Sequence, residues 1–364
     1  MNQKPEVTIG PAQTVADSHD DTSTTAPPTI SRDPNRSLWA HCRLFLRVWW
    51  LKIAARVVFA TLRTFRISGF ALRPSYVKHY PIGCRMGNDV WVPPATSAES
   101  ETPATKRLPL YIDIHGGGFT IGEPRMDAAY CKYLSSELGI IVVSVNYPKA
   151  PLCPFPHMGE ELAKVVKSVL DDDSLPVDKS KVVLGGFSAG ANLSLSIAQR
   201  DEFQGKFQGL LLWYPVTDLS GQYTGEFRVA SDGSHDILAS TGPVFRFAYV
   251  PPDQDLTDPL LSPVYADRKK LPPKIFFLCA EYDYLSHETE KTAELFAAHE
   301  ADTQARIGDE NDWTIGNIRF KRYLDVQHGF NFQPKWQAEA ERHRAETTKA
   351  AYADCTEWLK EIYL

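Results

Sequence analysis

Along the 364-residue chain, short apolar runs alternate with segments whose apolar residues recur every three or four positions. The runs "LPLYIDIH" (108–115), "GIIVVSVNY" (139–147), "KVVLGG" (181–186), "GLLLWYP" (209–215), "KIFFLCA" (274–280) and "FKRYLDV" (320–326) are short and rich in β-branched and aromatic residues. They read as strands buried on both faces. Helical patterns fall between most of them, near residues 126–138, 158–170, 190–200 and 287–299, with a last long one at 336–361. Such alternation predicts an α/β fold with a mostly parallel, doubly wound sheet over residues 73–364. Residues 216–256 break the alternation between two strands and mark the place for an inserted cap. The polar stretch "ADTQARIGDENDWTIGN" (301–317) reads as a solvent-facing loop insertion.

Two N-terminal segments depart from this pattern. Residues 1–35 are rich in Thr, Ser, Asp and Pro, with few large apolar groups to offset their ordering entropy, and are expected to be a disordered tail. No basic-then-apolar pattern of a secretory signal opens them. Residues 36–72 contain "LWAHCRLFLRVWWLKIAARVVFATLRTFR", helix-prone and apolar but interrupted by Arg43, Arg47, Lys52, Arg56 and Arg63. No uncharged run approaches the roughly 20 residues that a membrane span needs. At 100° per residue Lys52, Arg56 and Arg63 share a face while Arg43 and Arg47 point elsewhere, which predicts a bend or two helices. Two roles stay open for residues 36–66: a lid helix over the body with snorkelling arginines, or a basic amphipathic helix lying on an anionic membrane surface.

Charge sharpens the contrast. The chain carries −6 overall, yet residues 34–88 hold ten Lys or Arg and no acid. With five acids against two bases in residues 1–33, the balance on residues 89–364 is −13. An acidic body argues against nucleic acid as a partner. The cysteines Cys42, Cys84, Cys131, Cys153, Cys279 and Cys355 are scattered, without C-x-x-C pairs, and read as reduced thiols rather than zinc ligands or a disulfide framework. The expected setting is cytoplasmic, with peripheral membrane contact only if the basic helix supplies it.

Candidate chemistry gathers where a parallel sheet delivers its loops, at the carboxyl ends of strands. "GFSAG" (186–190) places Ser188 between glycines on a strand-to-helix turn, the pattern of a nucleophile elbow. "HGGGF" (115–119) follows an earlier strand, and its consecutive glycines let backbone N–H groups converge on one point. "EYDYLSHE" and "QHGFNF" follow two later strands and bring Asp283 and His328, so the chain order is Ser, Asp, His. Asp258, Asp325 and Glu281 compete with Asp283. Asp325 belongs to a strand end and Asp258 to a turn, which favours Asp283. His115 reads as structural, and Trp213 and Tyr214 as pocket wall.

On these motifs, with "NYPKAPLCPFP" (146–156) and "DPLLSP" (258–263), residues 74–364 resemble the hormone-sensitive-lipase-like branch of the α/β-hydrolases, which includes arylacetamide deacetylases and many carboxylesterases. Lys149 and Leu152 depart from the family's usual "YRLAPE". The resemblance implies a serine esterase without metal or organic cofactor. Ser188 attacks an acyl carbonyl, His328 takes its proton, Asp283 orients the imidazole, and the N–H groups of Gly117, Gly118 and Ala189 receive the oxyanion. The expected substrate is a small or medium apolar ester. A biosynthetic hydrolase acting on an amide, lactone or tethered intermediate is a second reading. A non-catalytic ligand-binding member is a third, against which the presence of His328 counts.

Overall fold

The computed structural model describes residues 38–82, 86–94, 107–225, 228–231, 233–301 and 304–364; the stretch 1–35 and Cys84 lie outside them. The helices are α1 (Leu38–Phe65), α2 (Ala128–Leu138), α3 (His157–Asp171), α4 (Ala189–Ala198), α5 (Leu238–Tyr249), α6 (Ser286–Ala301) and α7 (Ala338–Tyr363). The strands are β1 (Tyr76–His79), β2 (Gly87–Trp91), β3 (Leu108–Ile114), β4 (Ile141–Val145), β5 (Val177–Phe187), β6 (Gly209–Trp213), β7 (Lys274–Ala280), β8 (Ile307–Gly308), β9 (Asp312–Ile315) and β10 (Ile318–Tyr323).

Among the described residues these strands form one sheet in the order β1-β2-β4-β3-β5-β6-β7-β10-β9-β8. The central pairs, from β4–β3 to β7–β10, are parallel, and the outer strands at both edges are antiparallel. Side-chain alternation along the central strands feeds two cores. On β3, Leu110, Ile112 and Ile114 join the core beneath α3, α4 and α6, whereas Tyr111 joins the one beneath α2 and α7. Every residue of β4 and β6 is buried, so neither strand needs a polar face: β6 is an unbroken apolar run, and β4 is interrupted only by Ser144, whose hydroxyl donates to the Asp113 carboxylate (2.6 Å).

Two expectations fail. Within the stretch 301–317, read as a loop insertion, residues 307–315 extend the sheet instead, with β9 antiparallel to β10 and β8 antiparallel to β9. Trp313 is buried and stacks on Phe320 at 5.3 Å between ring centres. The polar residues around it make the turn: the Asp309 carboxylate accepts the N–H groups of Asn311 (2.7 Å) and Asp312 (2.9 Å). An edge pair open to solvent tolerates such composition, which hides it from a search for apolar runs. Nor does the basic segment bend. It is one 28-residue helix, α1, along which Lys52 turns inward, Arg47 donates to the Ser240 carbonyl (3.3 Å), and Arg63 pairs with Glu123 (2.6 Å).

Helix α5 lies within the stretch that interrupts the alternation, and α1 packs along it, with His41 edge-on to Phe247 at 4.9 Å. Lys52 also carries α1 onto the loop that follows β3, so both helices cover the carboxyl edge of the sheet.

Candidate active site

Strand β5 ends at Phe187 and α4 begins at Ala189, leaving Ser188 alone on the turn with φ 54° and ψ −117°. That left-handed conformation disfavours a side chain by about 1–2 kcal/mol and persists because its surroundings fix it. The Ser188 N–H donates to the Trp213 carbonyl on β6 (2.8 Å). The flanking glycines answer to space: a Cβ at Gly186 would stand 2.3 Å from the Ile114 carbonyl oxygen, and one at Gly190 only 1.9 Å from it. Ser188 is thereby raised above the end of β3.

His328 and Asp283 meet it there. The Ser188 hydroxyl and His328 Nε2 are 2.9 Å apart, and His328 Nδ1 lies 2.8 Å from the Asp283 carboxylate. The other Asp283 oxygen accepts the Leu285 N–H (2.8 Å), which fixes the carboxylate at the start of α6. All three side chains are buried. Burial opposes a charged imidazolium, but the negative charge and hydrogen bond of Asp283, with the charge of Asp236, outweigh it and raise the His328 pKa above the usual histidine value. Of the competing acids, Asp258 binds the Leu260 N–H, Glu281 accepts from the Asp325 N–H, and Asp325 accepts from Ser231. Among the described residues Asp283 is the carboxylate bonded to His328.

The glycine loop stands opposite. Gly117 (φ 114°), Gly118 (φ 54°) and Phe119 (φ 62°) are successive left-handed residues, and the Gly117 carbonyl is turned back to accept the Thr120 (3.1 Å) and Ile121 (3.0 Å) N–H groups. The amides of Gly117, Gly118 and Ala189 have no acceptor among the described residues. The loop is clamped from above. Lys52 Nζ donates to the carbonyls of Thr120 (3.1 Å) and Ala150 (2.6 Å), and the Ala150 N–H donates to the Phe119 carbonyl (2.9 Å). Burial, with the neighbouring Arg56, lowers the Lys52 pKa to about 8. Phe119 stacks on Tyr249 at 3.8 Å, and the Phe245 ring fills the space beside Gly118 that a side chain would need.

Other sequence candidates fall into place. His115 is fully buried, donates from Nδ1 to the Gly116 carbonyl (2.7 Å) and stacks on Tyr147 at 4.5 Å; burial and Lys149 hold its pKa well below the ordinary value. Trp213 is not pocket wall. Its ring lies in the core with Tyr130, Phe187, Phe330 and Tyr352, on the far side of the sheet from α4. Tyr214 is buried edge-on to His328 at 4.6 Å. Among the described residues no three His, Cys, Asp or Glu side chains converge as metal ligands.

The sequence reading missed two residues. Asp236 is buried just before α5, and its carboxylate accepts the N–H groups of Leu238 (2.8 Å) on α5 and Tyr284 (2.8 Å) beside Asp283, tying the insertion to the acid loop. An Asp before an apolar helical run is a helix-start signal, which was its one mark in the sequence. Lys52 showed only as a charge interrupting an apolar helix; its inward direction depends on the body it packs against.

Comparisons with known proteins assign the fold to a family. A family model described as alpha/beta hydrolase fold matches residues 111–312, more than half of the chain. The chain belongs to the α/β-hydrolase-fold family. Within this family it is 27% identical over 259 residues to an esterase of Acinetobacter venetianus, covering 70% of this chain and 76% of that one. It is 31% identical over 222 residues to the carboxylesterase NlhH of Mycobacterium tuberculosis, covering 58% and 67%. The hyperthermophilic esterase from the archaeon Pyrobaculum calidifontis superposes with a TM-score of 0.65 at 25% identity, covering 89% of this chain and 98% of its own. As an α/β-hydrolase of the hormone-sensitive-lipase-like branch, the chain is a carboxylic ester hydrolase.

Proposed function

We propose that this hydrolase cleaves small to medium apolar esters through an acyl-enzyme formed on Ser188. The observation that carries the reading is the continuous chain of short contacts from the Ser188 hydroxyl through the two nitrogens of His328 to Asp283. In the first half-reaction His328 accepts the hydroxyl proton as the oxygen adds to the acyl carbonyl, and Asp283 balances the imidazolium charge. The amides of Gly117, Gly118 and Ala189 receive the oxyanion. The imidazolium then protonates the departing alcohol. Water, activated by the same nitrogen, releases the acid and restores Ser188.

The size limit comes from the lid, made of α1 and the insertion that holds α5. Phe245 against Gly118 and the Phe119–Tyr249 stack confine the space beside the oxyanion amides. A confined apolar pocket gains about 0.8 kcal/mol per methylene until it is full, after which longer chains distort its wall. Turnover of a p-nitrophenyl ester series should therefore peak at short or medium acyl lengths. Rates that climb steadily into long-chain esters, or emulsified triglycerides cleaved efficiently, would contradict the reading.

A further inference from the structure

Helix α1 has two apolar faces. One faces the body, where Val48 and Lys52 are buried, and this fixes the rotation of the helix. The opposite face carries Trp39, Leu46, Trp50, Ile53 and Val57, spaced by seven, four, three and four residues, all in line at 100° per residue. All five are exposed, Trp39 by 84% and Trp50 by 70%. Arg43 and Arg47 flank this stripe on one side and Arg56 on the other, and α1 contains no Asp or Glu. No helix among the described residues is long and apolar enough to cross a membrane.

We propose that this outer face of α1 docks, parallel to the surface, on an anionic lipid bilayer. The charges select the occupant. A second copy would set one arginine-flanked, acid-free helix against another. Residues 1–37 contain no aromatic residue and few apolar ones to cover two tryptophans. A bilayer of acidic lipid offers both the apolar layer for the stripe and phosphates for the flanking guanidinium groups, which remain level with the headgroups. The −13 carried by residues 89–364 turns the rest of the body away from such a surface, so the basic helix sets the orientation. Because α1 also clamps the glycine loop through Lys52 and packs on α5, docking brings the lid of the active site to the lipid interface.

The test is co-sedimentation of the full chain with vesicles of phosphatidylcholine, alone or mixed with phosphatidylserine, over a salt series. The wild type should sediment with the mixed vesicles and be released as salt rises. A Trp50→Ser/Ile53→Ser/Val57→Ser variant should lose at least about tenfold in partitioning while hydrolysing a water-soluble ester like the wild type, since these side chains point away from the body. An Arg43→Glu/Arg56→Glu variant should lose the preference for phosphatidylserine. Absence of the wild type from mixed vesicles at low salt, or equal partitioning of the triple variant, would overturn the proposal. So would a wild-type dimer that the triple variant dissolves, which assigns the face to a second copy. Binding that appears only after removal of residues 1–37 would make that stretch the occupant and overturn it as well.

Discussion

Gly118→Ala tests how tightly the lid is fitted to the glycine loop. A Cβ at this position would lie 2.2 Å from Cγ and Cδ2 of Phe245 and 2.5 Å from Cε2, against 3.4 Å for ordinary contact, so the ring or the loop must retreat by about 1.2 Å. Neither moves freely. Asp236 binds the first turn of α5, Arg47 bonds the Ser240 carbonyl, and Phe119 stacks on Tyr249 at its last residue; Lys52 holds the loop. The left-handed φ of 54° adds about 1–2 kcal/mol of strain. Since an oxyanion donor works only within a few tenths of an ångström of its position, the loss of kcat should be on the order of 100-fold, with circular dichroism showing a folded protein. Adding Phe245→Ala returns the space but not the backbone strain, and should recover most of the turnover on a short p-nitrophenyl ester. A folded Gly118→Ala enzyme within about threefold of wild type, or a double variant no better than the single one, would refute the assignment of Gly118 and Phe245.

Because only neutral imidazole accepts the Ser188 proton, kcat/KM should rise with pH through an ionisation above the ordinary histidine value, where Asp283 and Asp236 hold it. Asp236→Asn removes one of these charges, so the rise should move to lower pH; a profile that stays put or moves upward would show that Asp236 does not act on His328. Lys52→Met leaves two buried carbonyls without their donor, so thermal unfolding should show a loss of about 1–3 kcal/mol and kcat should fall more than KM rises; full stability with full kcat would exclude the clamp. Trp313→Ala should cost about 3–5 kcal/mol, read by denaturant unfolding, with kcat unchanged below the transition, and a near-neutral effect would contradict the buried edge strand.

The central strands were legible because their burial on both faces leaves an apolar run in the sequence, and the turns after them carried Ser188, Asp283 and His328 in readable motifs. What stayed hidden is what depends on contact between distant segments. Trp213 and Tyr214 are neighbours in sequence and share the core beneath α2 and α7, yet Tyr214, just past the end of β6 with φ 35°, also meets His328, a contact the strand pattern does not record. The pairing of β9 with β10 rests on one buried tryptophan within polar residues. Lys52 and Arg56 differ by one helical turn and look alike as sequence, but only Lys52 reaches the Thr120 and Ala150 carbonyls, and no local periodicity records which cation points inward. Asp236 acts across 48 positions, through Tyr284, on a loop that the sequence places in a different motif.

Covalent capture tests the central claim most directly. An alkyl phosphonate mimics the tetrahedral oxyanion and traps whichever nucleophile the histidine activates. Intact mass of the full chain after treatment should show one adduct, and peptide mapping should place it on Ser188; Ser188→Ala should take up none, and His328→Ala should react far more slowly. Labelling of Ser188→Ala to the same extent as wild type, or an adduct on another residue, would contradict the account.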